Sequence, residues 1–157
     1  MNATTTPETN VTNREQFLTD ILTTAVEGGI NYWAQTLAYQ HSGPVADRGV
    51  TLLVEDVDAQ DFIVPLLDPA EFLKPEFLED EDTNVVRVTL DHIRKGLNLI
   101  VSNDDSIRLR DDIVAIIKNA NRQNDAAPDN ESSPGDIDAE VASCILQAGI
   151  FGEVVFS

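Results

Sequence analysis

An amphipathic run that stops at two glycines constrains this chain more than any other stretch. Phe17, Leu18, Ile21, Leu22, Ala25 and Val26 fall on one face of a 3.6-residue period. Gly28 and Gly29 follow, then Ile30, Asn31, Tyr32 and Trp33, which bring in the only Trp and one of the two Tyr. Glycine takes backbone conformations closed to other residues, or lets another segment come close. The pattern predicts a helix over 14–27 with Gly28 at its C-cap. Thr12 with Glu15 makes a capping box at its start, and Asn13 with Gln16 offers the next register. Residues 1–12 carry little to bury and read as a disordered arm.

Beyond the glycines the pattern changes. Tyr32, Trp33, Thr36 and Tyr39 favour extended chain, so a short helical turn gives way to a strand near 34–40. His41-Ser42-Gly43-Pro44 is turn chemistry. Val50 to Asp56 reads as the hairpin partner of that strand. Residues 58–84 are interrupted by Pro65, Pro69 and Pro75, yet Phe62, Ile63, Leu66, Leu67, Phe72, Leu73, Phe77 and Leu78 make them too apolar for a free linker. They read as an irregular insertion of packed turns.

The second half is more regular. Val85 to Leu90 is a strand with Val86 and Val88 on one face, and Thr89 caps a helix over 90–102. A helix over 106–122 follows, then a flexible acidic loop over 124–135. Asp136 or Asp138 caps a last helix whose inward face is Val141, Cys144, Ile145 and Ala148, with Gly149 ending it. Ile150 to Phe156 reads as a closing strand, weakened at Gly152. The sum is a single α+β domain, a small antiparallel sheet packed by about four helices on one face.

Charge limits the partners. The chain has 28 acidic residues against 10 basic ones, a net charge of -18. Such a surface repels phosphates, so direct nucleic-acid binding and anionic membranes are disfavoured. It attracts basic protein surfaces, and equally it can do no more than solvate the fold. No apolar run approaches the ~20 residues of a membrane helix. Met1 to Thr12 lacks the basic and apolar regions of a secretory signal. Cys144 is alone, so no intrachain disulfide forms, and a cytoplasmic setting is expected.

The chemistry-bearing residues form no catalytic motif. Asp56, Asp58 and Gln60 match the first positions of a calcium loop, but Asp61 stands where glycine is needed and Leu67 where the closing glutamate belongs. Asp80, Asp82 and Asn84 repeat the match, with Val85 in the glycine position. His41, His92 and Cys144 have no zinc-ligand spacing. Cys144 sits on an apolar face, which suits a packed thiol better than a nucleophile. His92 in the first turn of its helix suits a capping or surface role. No glycine-rich phosphate loop and no nucleophile elbow occur. No catalytic residue, metal or cofactor is therefore assigned.

Three stretches carry a resemblance: AVEGGINYWA at 25–34, VTLDHIRKGLNLI at 88–100 and DIDAEVASCILQAGIFGEVVF at 136–156. Together they resemble an uncharacterised family of small proteins of actinobacterial phages and their hosts. Region 56–84 has no counterpart in it. The resemblance implies no activity, but it implies a mobile-element accessory protein. In that setting an acidic surface suggests a DNA mimic, in which carboxylates replace phosphates before a nucleic-acid-binding protein. The candidate acidic face is Glu55, Asp56, Asp58 and Asp61, the tip Glu79, Asp80, Glu81 and Asp82, and Asp104, Asp105, Asp111 and Asp112. Arg87, Arg94, Lys95, Arg108 and Arg110 interrupt it and can pair with neighbouring acids.

Two other readings stand beside it. One is a small-molecule or metal-dependent enzyme with a pocket near Glu27, Gly28, Gly29, Asn31, Tyr32 and Trp33. Those aromatics equally suit the core. The other is a structural or assembly protein, a homo-oligomer joined through the 62–78 insertion or the free edge of the closing strand.

Overall fold

Thr12 opens the first helix, and the capping box forms as the spacing predicts. Its hydroxyl accepts from Glu15 N–H at 3.0 Å, and Glu15 returns the bond to Thr12 N–H at 3.0 Å. Helix α1 (Asn13–Gly28) buries Phe17, Leu18, Ile21, Leu22, Ala25 and Val26. A turn over 29–33 follows, closed by Trp33 and Ala34 N–H groups donating to Ile30 C=O. The computed structural model describes residues 11–77, 83–102, 107–126 and 137–156. The expected arm up to residue 10, the acidic tip at 79–82 and most of the 124–135 loop lie outside that set.

The sheet has four antiparallel strands in the order β1-β2-β4-β3. They are β1 (Ala34–Gln40), β2 (Gly49–Val54), β3 (Leu66–Leu67) and β4 (Asn84–Thr89). Ala34 pairs with Val54 and Gln40 with Gly49, with a bulge between Thr36 and Ala38. Val50, Leu52, Val54, Val86 and Val88 enter the core shared with the helices. Alternation puts Thr51, Leu53 and Val85 on the opposite face, where they too are buried. The insertion supplies β3 and three short 3₁₀ turns. Ile63 N–H donates to Ile150 C=O, one bond that fastens the insertion to the body.

Three more helices complete the described fold: α2 (Leu90–Val101), α3 (Asp111–Ala126) and α4 (Ala139–Phe151). Every residue of α4 from Val141 to Phe151 is buried. It is therefore a central helix, buried all round, rather than one with a single inward face. Helices α1 and α2 both pack on it. Glycines set these approaches. A Cβ on Gly96 would lie 2.2 Å from Ile145 O, one on Gly149 2.2 Å from His92 O, and one on Gly29 2.2 Å from Ala139 O.

Several boundaries differ from expectation for physical reasons. Gly149 does not end the last helix, because it is the contact point with α2. Gly152 ends it instead, in the left-handed conformation at φ +74°. No strand covers 150–156: residues 150–151 complete α4, and the backbone beyond bonds to a side chain of α4 rather than to a sheet. The strand edge offered for self-association is therefore absent. Helix α3 starts at Asp111, not 106, and carries on through 124–126 into the region expected to be a loop.

Candidate functional site

Pairing of Ala34 with Val54 puts the ends of β1 and β2 side by side. The turn before β1 and the turn after β2 therefore meet at one corner of the sheet. There they form a hollow of about 260 Å³. Its aromatic and amide lining is Asn31, Tyr32, Trp33, Gln35 and Phe156, and Glu55 and Asp56 supply its charge. Asp56 has φ +65°, a left-handed turn that Asp tolerates better than most residues.

The cluster at residues 31–33 divides between core and surface. Trp33 is 6% exposed and Tyr32 60% exposed. Trp33 donates its indole N–H to Ser143 Oγ at 2.9 Å and stacks on Phe156, centroids 5.5 Å apart and planes 10° apart. Ser143 Oγ also accepts from Gln147 Nε2 at 3.2 Å. Gln147, wholly buried, holds the chain end: Val155 and Phe156 N–H donate to its Oε1 at 2.9 and 2.7 Å. Tyr32 Oη lies 3.4 Å from Phe156 C=O. Tyr32 and Phe156 thus form a wall anchored from inside.

A second hollow, also about 260 Å³, shares Tyr32 and Phe156 with the first. Leu109, Ile113, Val154 and Phe156 give it apolar lining. Arg108, Arg110, Glu140 and Cys144 join Tyr32 as its polar members. Burial, then the nearby charges of Glu140 and Asp138, push the Cys144 thiol up to about 11. It is a protonated, packed thiol rather than an activated nucleophile.

The other candidate residues are placed as follows. Glu27 and Gly28 are exposed at the end of α1 and do not line the first hollow, while Gly29 is buried against Ala139. Asp58 and Asp61 are exposed on the 3₁₀ turn after β2. Asp111 and Asp112 are exposed in the first turn of α3, where Asp112 pairs with Arg110 at 3.3 Å. Arg94 pairs with Asp91, so some bases do sit on neighbouring acids. Glu79, Asp80, Glu81, Asp82, Asp104 and Asp105 lie outside the described residues. His92 caps its helix, accepting Thr89 N–H on Nδ1 at 3.0 Å. Burial, then Lys95, lower its pKa from the usual imidazole value.

Sequence reasoning singled out residues 31–33 and, separately, Glu55 and Asp56, but not that they share one hollow. Gln35 and Leu53 complete the first hollow because the β1-β2 register pairs them, and Phe156 because Gln147 holds the chain end there. Ser143 and Gln147 carried a usable signal, since two polar residues four apart in an apolar helix share a face and need partners. Among the described residues, no group of three or more His, Cys, Asp and Glu side chains is arranged to hold a metal ion. Nor is any described helix long and apolar enough to cross a membrane. No protein-family model matches the chain, and no match was found among curated proteins or solved structures.

Proposed function

We propose that this chain is an acidic protein-binding module that receives a basic side chain of a partner protein in the hollow beside Tyr32. The meeting of Glu55 and Asp56 with the exposed Tyr32 ring carries this reading. Two adjacent carboxylates match the two N–H edges of a guanidinium. An aromatic face adds a cation–π contact. Asn31 and Gln35 give amide groups for the partner's backbone. The net charge of -18 steers basic surfaces toward the site.

In its sharpest form the module is a DNA mimic of mobile-element origin that occupies the cationic site of a nucleic-acid-binding protein. The charge and the resemblance of the 25–34, 88–100 and 136–156 stretches support that form.

The test starts with an oligo-arginine peptide and an uncharged control, titrated while Trp33 fluorescence is read. Saturable binding of the arginine peptide alone is expected, weakened by salt and by the Glu55→Gln/Asp56→Asn double variant. Equal binding by the variant, or none by the wild type, sinks the module. A partner recovered from host lysate then decides on mimicry: duplex DNA should displace the chain from it, and failure of DNA to compete leaves only the general module.

A further inference from the structure

We infer that the second hollow, between α3 and the chain end, is a binding site for a small carboxylate with a hydrocarbon or aryl tail. Cations are scarce in this chain, 10 against 28 acids, yet two of them line this one apolar hollow. Arg110 is committed to Asp112. Arg108 makes no ion pair with any described residue, so its guanidinium offers two parallel N–H donors. A carboxylate satisfies that fork bidentately.

The rest of the lining sets the tail. Leu109, Ile113 and Phe156 offer apolar surface in place of water, and the volume of about 260 Å³ admits a short chain or one ring. Glu140 at the same hollow works against a dianion, because a second negative charge would face a carboxylate. Inorganic phosphate lacks the tail, and an alkylamine, protonated at neutral pH, carries the opposite charge. The chemistry therefore selects a monocarboxylate of the size of hexanoate or benzoate. This inference does not rest on the acidic hollow, which uses different charged residues.

Two independent readouts test it. Trp33 stacks on Phe156, a lining residue, so filling the hollow alters the emission of the chain's only Trp. Cys144 also lines the hollow, so an occupant slows its alkylation. Hexanoate, benzoate, hexylamine and phosphate are titrated into the wild type, Arg108→Gln, Arg108→Lys and Arg108→Gln/Arg110→Gln. Both carboxylates should saturate both signals, while hexylamine and phosphate should not. Loss of a charge-assisted pair predicts about tenfold weaker binding in Arg108→Gln. Arg108→Lys should fall between it and the wild type, and the double variant should bind least.

Arg108 is exposed, so these variants keep the fold, which circular dichroism verifies. Absence of carboxylate binding in the wild type overturns the inference. So does binding that is unchanged in both the single and the double glutamine variants, or hexylamine binding as well as hexanoate. Unchanged oligo-arginine binding in Arg108→Gln is expected, which separates this site from the acidic one.

Discussion

Gln147 pairs with Phe156 as one strand residue pairs with another. Its Oε1 accepts Phe156 N–H at 2.7 Å, and its Nε2 donates to Phe156 C=O at 3.1 Å. A carboxamide thus supplies the donor and acceptor that a neighbouring strand would have supplied. Replacing Gln147 with Leu leaves the Val155 and Phe156 amides and Ser143 Oγ without that partner. Buried groups left unpaired cost about 1–3 kcal/mol each, less where the chain end swings into water. Gln147→Leu is expected to lose about 2–4 kcal/mol in denaturant unfolding. Trp33 emission should shift to the red as Phe156 leaves it.

The glycines at helix crossings predict a sharp contrast. A Cβ at Gly149 meets His92 O at 2.2 Å, whereas one at Gly28 meets only Ala139 Cβ at 3.4 Å. Backbone cannot step aside as a flexible side chain can. Gly149→Ala is expected to cost about 2–4 kcal/mol, because α2 and α4 must move apart. Gly28→Ala should stay within about 0.5 kcal/mol of the wild type. Thermal unfolding of the two variants under one condition settles it.

His92 predicts a pH dependence. Its imidazole is neutral when it accepts Thr89 N–H, and burial holds its pKa below the usual imidazole value of 6.5. The unfolded chain therefore binds the proton first. The stability contributed by His92 is present above 6.5 and is lost as pH falls through the folded pKa. Glutamine suits the same capping position without titrating. His92→Gln should match the wild type near neutrality and lose less stability on acidification below that value. Equal acid sensitivity in both proteins would count against this role.

Cys144 behaves in the opposite sense. Its folded pKa, about 11, lies above the ordinary thiol value of 9.0. Its contribution is thus present below 9.0 and lost as pH rises toward about 11, because the unfolded chain forms thiolate first. At pH 8 the folded thiol should react with a disulfide reagent about a hundredfold more slowly than the unfolded one, on thiolate fraction alone. Comparable rates in the two states would show that the thiol is not held as described.

Arg48 offers a test of a buried cation. It is 4% exposed, and it donates to Gly43 C=O at 3.1 Å and to Thr19 Oγ1 at 3.1 Å. These bonds tie the turn before β2 to α1. Lysine cannot make both from one ammonium position. Arg48→Lys is expected to destabilise by about 1–3 kcal/mol, read by urea unfolding, with Thr19→Val giving a smaller loss of the same sign.

Local rules made much of the fold legible. Thr12, Thr89 and Asp138 stand at helix starts, and β1 spans Ala34–Gln40 as the residue types suggest. The failures share one cause, tertiary context. Gly149 looked like a helix stop but faces His92 across a helix crossing. Residues 150–156 looked like a strand, but the side chain of Gln147 took the backbone bonds of Val155 and Phe156. Leu66 and Leu67 became β3 because β4 lay open beside them. The candidate site was half legible for the same reason. Asn31, Tyr32 and Trp33 stood out by residue type, while their meeting with Glu55 and Asp56 follows from strand register, and with Phe156 from the partner that Gln147 takes, neither of which local pattern alone specifies.

The central place of α4 bears on how the chain is made. Helices α1 and α2 lean on residues 139–151, which leave the ribosome after every other described element. Until they emerge, Phe17, Ile21, Ile93 and Leu97 have no helix to close over them. A nascent chain halted before Ala139 therefore exposes apolar surface and is a natural client for chaperones. The fold is completed from its centre last, because the helix on which α1 and α2 pack is the last described element to be synthesised.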